Sequence, residues 1–335
     1  MEGRKLQLAG GSTYVVSLPK RWVQGSGLKA GDTLFLETES DGSVSVRHRM
    51  TEKPSVRRKV FEEKGEEARD HLLRKLIGAY ISGFGIIEVR FAGEKGPFVR
   101  KVARDFCRLV IGPEVIEETR NAIVIQDLSD PSELSSEKCL RRMHLIVRAM
   151  LDDSVSALRT SNPSLAHDVG QRDQDVDRLY WMVAKQYHLA HAGPGDGASA
   201  PTIHGHRLIA KLLERIGEHA QRIASSGAAL VGERWLDSKL SDQLGAARTS
   251  AVAILDKTFN ALVTRNIEGA NEAIDARIEH QKMIDALAQR VASRKGSAPM
   301  ALGSIVDSLG RVAVYAAEIA EEAIDLAIFT NPETT

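Results

Sequence analysis

The feature that most constrains this chain is the stretch from residue 136 to residue 330, where apolar positions recur at helical spacing with almost no alternating strand signal. Breaks fall at Ser161-Asn162-Pro163, at Gly193–Gly197, near Gly232, and at Gly296-Ser297-Ala298-Pro299. The stretch also repeats itself. Val147 to Asp152 matches Ala251 to Asp256 at an offset of 104 residues, and Leu213, Arg215, Ala220, Ile223 and Ala224 recur as Leu309, Arg311, Ala316, Ile319 and Ala320 at an offset of 96. Between them, Asp177-Arg178-Leu179 pairs with Asp285-Ala286-Leu287 at 108. A longer glycine-rich loop in the first copy accounts for the change of offset. Two tandem three-helix units are predicted, over 136–232 and 233–330, each helix hiding its apolar stripe against its neighbours.

The residues before this stretch read differently. Residues 1–48 alternate apolar and polar positions in short runs, Leu6-Gln7-Leu8, Tyr14-Val15-Val16, Thr33 to Leu36 and Val44-Ser45-Val46, broken by turns at Gly31-Asp32 and Asp41-Gly42. Pro19 opens a short helix at Lys20 to Gln24. So small a β module with so few apolar side chains is marginal alone, and pairing with a second copy is the simplest way to complete a core. Residues 49–65 read as a basic linker, with Arg57, Arg58 and Lys59 at its centre. Residues 66–132 read as a small α/β module: a helix through Leu72, Leu76 and Tyr80, a strand at Ile86 to Phe91, a helix through Val99, Val102 and Phe106, and two strands at Val115–Glu118 and Ala122–Gln126. The fold class is therefore mainly α with a small β module at the N-terminus.

Within the helical stretch the chemistry candidates are carboxylates. Asp173 and Asp177 stand four apart, as do Glu214 and Glu218, so each pair shares a helix face one turn apart. Like charges at that spacing repel, and a shared cation would relieve them; all-oxygen ligation suits iron, manganese, magnesium or calcium better than zinc. The same residues also suit a solvated face, because Arg207, Lys211 and Arg222 lie on the Glu214/Glu218 stripe. No Glu-x-x-His motif of the di-iron kind is correctly placed, and His219 points about 100° away from Glu218. His188, His191, His204 and His206 flank the glycine loop and read as surface residues.

Other classes find no support. The chain lacks a phosphate-binding Gly-x-x-x-x-Gly-Lys-Ser/Thr loop and a Gly-x-Ser-x-Gly nucleophile elbow. Its two cysteines, Cys107 and Cys139, form no CxxC pair, which excludes a disulfide framework or zinc ribbon and fits a reducing cytosol. No apolar run approaches the roughly 20 residues of a membrane span. The 45 Lys and Arg cancel the 45 Asp and Glu, so any nucleic-acid contact must be a local patch. Arg4, Lys5, Lys20 and Arg21 are the candidates, and dimerisation would double them across two half-sites. An ordinary mixed surface is equally compatible, since Glu2, Asp32, Glu37, Glu39 and Asp41 lie among them.

Two resemblances follow from these residues. The order Leu8-Ala9-Gly10-Gly11-Ser12-Thr13-Tyr14-Val15-Val16-Ser17-Leu18-Pro19-Lys20-Arg21-Trp22, then Gly27-Leu28-Lys29-Ala30-Gly31-Asp32, resembles the SpoVT/AbrB-type swapped-hairpin domain. The resemblance implies a homodimer with interleaved hairpins and, as in many relatives, DNA binding. Val23 and Gln24 depart from it, standing where DNA-binding relatives carry an arginine pair. The helical half resembles a PhoU domain through its tandem repeat, through Asp173-x-x-x-Asp177, and through Leu213-Glu214-Arg215-Ile216-Gly217-Glu218-His219-Ala220, which is similar to that family's Glu-Arg-x-Gly-Asp-His-Ala. With the middle segment Ile111 to Thr119, the combination resembles archaeal PhoU-like regulators. The resemblance implies a metal ion (iron, manganese, magnesium or zinc) held by Asp173, Asp177, Glu214 and Glu218. It implies no strong second site, because Gln281, Asp285, Gly310 and Val314 occupy the matching positions. The function implied is that of a cytoplasmic, homodimeric regulator of phosphate uptake, not an enzyme, with the phosphate ABC transporter ATPase and promoter DNA as partners. The alternatives are a transcription factor whose helical half senses a metal or ligand, and a carboxylate-metal enzyme.

Overall fold

The computed structural model describes all residues except 1–2, 39–43, 48–55, 64–67, 130–133, 193–199, 229, 231–236, 295–297 and 331–335. The chain divides into two units, Met1–Ser55 and Val56–Thr335. The expected breaks at Gly193–Gly197, Gly232 and Gly296-Ser297, and the Asp41-Gly42 turn, lie outside the described residues.

The first unit consists of two separate hairpins and a short helix. Strand β1 (Gln7–Ala9) pairs antiparallel with β2 (Thr13–Val15), Leu8 opposite Tyr14. Gly10 and Gly11 make the turn at φ 62° and 79°, a region that favours glycine. Helix α1 (Lys20–Gly25) begins one residue later than expected. Pro19 is its N-cap rather than its first helical residue, and the Pro19 carbonyl accepts from the Val23 N–H at 3.1 Å. The Gly31-Asp32 turn forms as expected, with the Lys29 N–H donating to Asp32 Oδ2 at 2.7 Å. Strand β3 (Phe35–Thr38) pairs antiparallel with β4 (Val44–Arg47). None of the side chains described in this unit, which leaves out those of Glu37, Ser45 and Arg47, is buried, and Leu6, Leu8, Tyr14, Val16, Leu36 and Val44 are all exposed.

The second unit begins with the α/β module. Residues 58–63, assigned to the basic linker from sequence, are instead strand β5 (Arg58–Glu63), which runs parallel to β6 (Ile86–Phe91) after a crossover through α2 (Arg69–Ile81). Basic residues at an edge strand mask its period, and charge on an edge is a common way to discourage further pairing. Helix α3 (Gly96–Leu109) and strands β7 (Pro113–Glu118) and β8 (Ala122–Asp127) complete a sheet of order β5-β6-β8-β7. One face of the sheet, through Ile87, Val89, Ile123 and Ile125, packs on Leu72, Leu76, Val102 and Phe106 of the two helices.

Six helices follow: α4 (Ser136–Thr160), α5 (Pro163–Ala192), α6 (Ala200–Ala228), α7 (Ser238–Thr264), α8 (Ile267–Ala292) and α9 (Ala298–Thr330). The predicted tandem units are thus α4–α6 and α7–α9. Their corners are built alike. Ser161 and Arg265, 104 residues apart, both take a left-handed conformation (φ 50° and 54°) rare outside glycine. Each is followed by an asparagine that donates its N–H back to the preceding helix, to Ala157 at 2.9 Å and Ala261 at 3.0 Å. The asparagine side chain then caps the next helix, accepting from Leu165 and Gly269. The two repeats share one continuous core, because α6 and α9 pack on each other as well as on their own repeats. No helix among the described residues is long and apolar enough to cross a membrane.

Candidate carboxylate site on the first repeat

Helices α5 and α6 bury Val176, Leu179, Leu213 and Ile216 in the common core, and that stripe turns Asp173, Asp177, Glu214 and Glu218 toward one shared groove. Gly217 lets the helices approach: a Cβ at this position would lie 3.1 Å from Asp173 Oδ1 and 3.6 Å from Val147 and Val176. Asp173 Oδ1 is buried without a hydrogen-bond partner. Glu214 is 7% exposed, whereas Glu218 is open to solvent. A freely solvated face would not bury Glu214; Asp173 and Asp177 are half-buried, and the solvated reading holds in full only for Glu218.

The electrostatics follow from this crowding. Asp177 is pushed up to about 7, first by burial and then by the charges of Asp173, Glu214 and Glu218, with Lys211 opposing. Asp173 rises to about 6 by burial and by the charges of Glu218 and Glu214. Glu214 rises by burial, against the hydrogen bond from Lys211. The Lys211 ammonium donates to both Glu214 oxygens at 2.7 Å and lies 5.1 Å from the centroid of the Tyr180 ring on α5. Four carboxylates with an unpartnered oxygen are the right donors for a hard cation. They do not stand as a closed ligand set: among the described residues, no three His, Cys, Asp or Glu side chains are gathered so as to hold an ion.

The second repeat lacks this arrangement. Gln281 donates to Asp285 at 2.8 Å, a neutral amide where the first repeat has a second carboxylate. Gly310 stands in place of Glu214, and a Cβ on it would lie 3.3 Å from Ile284. Asp307 takes the place of Lys211 and faces Arg311 at 3.9 Å.

Sequence reasoning missed two other polar clusters. At the seam between α4 and α7, His144 meets Asp256 at 3.0 Å and stacks on Phe259 at 4.1 Å, while Arg248 pairs with Asp152. His144 and Arg248, like Asp152 and Asp256, are 104 residues apart, so the two pairs are repeat mates; the offset was the signal that could have found them. Deeper, Lys185 of α5 pairs with Asp127 at the end of β8, donates to Ser129 at 3.0 Å, and lies 4.9 Å from the Tyr80 ring, joining the α/β module to the bundle. The expected surface histidines divide. His204 is exposed, but His206 is partly buried at 2.8 Å from Ser136 Oγ because α6 turns it toward α4. His219 bonds Ser308 at 3.1 Å across the α6–α9 seam. In the first unit, Lys20 and Arg21 open α1 and Arg4 and Lys5 precede β1, all of them exposed.

Residues 140–226, from α4 through the carboxylate helix α6, match the family model described as PhoU domain. All four candidate carboxylates lie within this match. Residues 7–53 match the model described as antidote-toxin recognition MazE, bacterial antitoxin, in keeping with the swapped-hairpin resemblance. Curated relatives from two Caulobacter vibrioides strains, each described as a phosphate-specific transport system accessory protein PhoU homolog, are 32% identical over 106 residues. That stretch is 31% of this chain and spans 44% of the length of those relatives. Among solved structures, PhoU from Pseudomonas aeruginosa superposes with a TM-score of 0.53 at 16% identity, covering 59% of this chain and 96% of its own. The phosphate transport system regulatory protein PhoU from Streptococcus pneumoniae does so with 0.52 at 17%, covering 60% and 95%. At such identities the likeness is one of fold, and it sets the matched residues within a PhoU-like helical bundle.

Proposed function

We propose that this chain is a cytoplasmic regulator of phosphate uptake, not an enzyme, whose PhoU-like bundle acts on the phosphate ABC transport system through its ATPase. The observation that carries the reading is the coincidence of the PhoU domain match with the crowded, partly buried carboxylates on the same residues. The groove offers strained negative charge rather than a nucleophile with its base, which favours a binding role over catalysis. Asp173, Asp177, Glu214 and Glu218 are the residues that would hold a divalent or ferric ion. Such an ion would neutralise the groove and thereby make the stability of α5 against α6 depend on metal supply.

The first unit supports a homodimer. Two-stranded hairpins with no buried side chain among those described are marginal alone, and a second copy would cover the exposed Leu8, Tyr14, Leu36 and Val44. A dimer would set Lys20 and Arg21 of both copies on one surface toward promoter DNA. The test is binding of the purified protein to its own upstream region and to phosphate-transporter promoters at two salt concentrations, with Lys20→Ala/Arg21→Ala as control. Saturable, sequence-preferring binding that weakens steeply with salt and vanishes in the variant makes the chain a transcriptional regulator as well. Weak, sequence-blind binding leaves a dimeriser whose regulation runs through contact with the transporter, read as copurification with membranes that carry the transport ATPase.

A further inference from the structure

We infer that β5 is an edge by which two copies of this chain pair, antiparallel about a two-fold axis at Val60, so that their four-stranded sheets join into one continuous sheet. This interface is separate from the one proposed for the first unit. The strand reads Arg58-Lys59-Val60-Phe61-Glu62-Glu63, basic at its start and acidic at its end. Reversed against itself with Val60 opposite Val60, it sets each Arg58 across from the second copy's Glu62 and each Lys59 across from the second copy's Phe61. Opposite charges directly across an antiparallel pair stabilise it, and a cation near an aromatic ring adds to that. Shifted by two residues either way, Arg58 no longer meets Glu62; a parallel partner in register sets arginine beside arginine.

The backbone suits this register. The Ile86 N–H donates to the Arg57 carbonyl at 3.1 Å, and the parallel ladder then turns the peptide groups of Lys59 and Phe61 toward β6. Arg58, Val60 and Glu62 therefore aim theirs at the outer edge, and these are the residues that meet in the symmetric register. Among the described residues β5 ends the strand order, so no strand lies beyond it. Arg58, Val60 and Glu62 are exposed and share the face of Glu88, whereas Phe61 packs on the helix side. Glu88 takes up Nε and Nη2 of Arg58, which leaves Nη1 for a second carboxylate.

The opposite edge of the sheet is closed to the same use. Strand β7 begins at a proline, breaks register between Val115 and Glu117, and holds Glu114, Glu117 and Glu118 with no basic residue. Such an edge repels its own copy and is bent away from pairing. The charges of β5 reject most other strands and accept their own reverse, so one device gives both protection and choice of partner. The α/β module and the bundle belong to one compact unit, tied by Lys185 and Asp127. Pairing of β5 would thus hold two PhoU-like bundles in one fixed relation.

The test uses the full chain with Cys107→Ser, which removes the partly exposed native thiol. Paired Val60 Cα atoms would lie about 5.5 Å apart, within disulfide reach. Val60→Cys should therefore bridge two chains on mild oxidation, and Ile116→Cys, exposed on the far edge, should bridge at least tenfold more slowly. Adding Arg58→Glu or Glu62→Arg to Val60→Cys should slow the bridge at least tenfold. Mixing those two variants should restore it, because each charge then meets its opposite; mere damage to the strand would not be repaired this way. A bridge no faster in Val60→Cys than in Ile116→Cys overturns the interface, even where sedimentation still shows a dimer held by the first unit. Single charge variants that bridge as fast as Val60→Cys alone overturn it too, as does a mixture no faster than its components. Should Arg58→Glu fail to fold by circular dichroism, since it also loses Glu88, Glu62→Gln and Glu62→Arg leave that pair intact and must slow the bridge in that order.

Discussion

The two helical repeats are built on one plan and differ in what they do with charge. Both turn their first corner through a left-handed non-glycine residue, Ser161 or Arg265, followed by a capping asparagine. Both send apolar stripes into one core. Yet the first keeps four carboxylates on facing helices, where the second has Gln281, Asp285, Gly310 and Val314. The second repeat shows that this fold needs no such charges. In the first they are a cost, because like charges crowded on partly buried positions repel and Asp173 Oδ1 goes unpartnered. A feature that weakens the fold and that the sister repeat does without is the ground for the binding role proposed for these carboxylates.

The comparison breaks most violently if the charge is moved. Gly310→Glu would place a carboxylate on the buried seam of α8 and α9, with Ile284 only 3.3 Å from the new Cβ and Asp307, not a lysine, one turn before it. A loss of about 3 kcal/mol or more is expected, from overpacking and an uncompensated buried charge together. Urea unfolding should show a lower midpoint with an unchanged slope. A variant as stable as the parent would mean that the second repeat still holds room for an ion, and the functional asymmetry argued above would fall.

Much of this asymmetry was legible in the sequence because it lies in local spacing. Offsets of 104, 108 and 96 align the repeats, and i,i+4 spacing puts Asp173 with Asp177 and Glu214 with Glu218 on common faces. The illegible parts depend on partners far away along the chain. Lys211 read as one more charge on a solvated stripe; only the packing of α5 on α6 shows that it is held against a buried Glu214. Lys185 and Asp127 are 58 residues apart, and nothing local distinguishes a buried lysine from an exposed one. Strand β5 disappeared into a basic linker because its pairing partner, β6, supplies the order that its own composition conceals.

A subtler test uses one substitution in each repeat. Asp177, held up at about 7, favours its proton in the folded state. Its contribution is therefore fully present below the ordinary carboxylate value near pH 4 and is lost as pH rises through about 7. Asp177→Asn should leave stability nearly unchanged at pH 4 and raise it by about 1–2 kcal/mol at pH 8. Asp285→Asn, at the matching but exposed position, should stay within about 0.5 kcal/mol at both. Thermal melts of the three proteins in metal-free buffer at the two pH values decide it. Parallel curves for all three would mean that the groove is no more strained than its counterpart.

The smallest effect concerns the seam where the repeats meet. His144 against Asp256 and Arg248 against Asp152 are mates under the same offset, but only the first can titrate near neutral pH. Burial against α7 holds His144 below the ordinary histidine value, although Asp256 pulls it upward and Arg148 adds to the lowering. Stability from this group is therefore complete above about pH 6.5 and is lost as pH falls toward the lower folded value, because the unfolded chain takes up the proton first. His144→Gln can still reach Asp256 as a donor and cannot be protonated. Between pH 7 and pH 5 the parent should lose more stability than this variant, while the other histidines held below their ordinary value by burial, His206, His219 and His280, contribute to both. An identical loss would mean that His144 is no weaker a partner than Arg248. The two repeats would then differ only at the carboxylate groove, and the α4–α7 seam would be as indifferent to acid on one side as on the other.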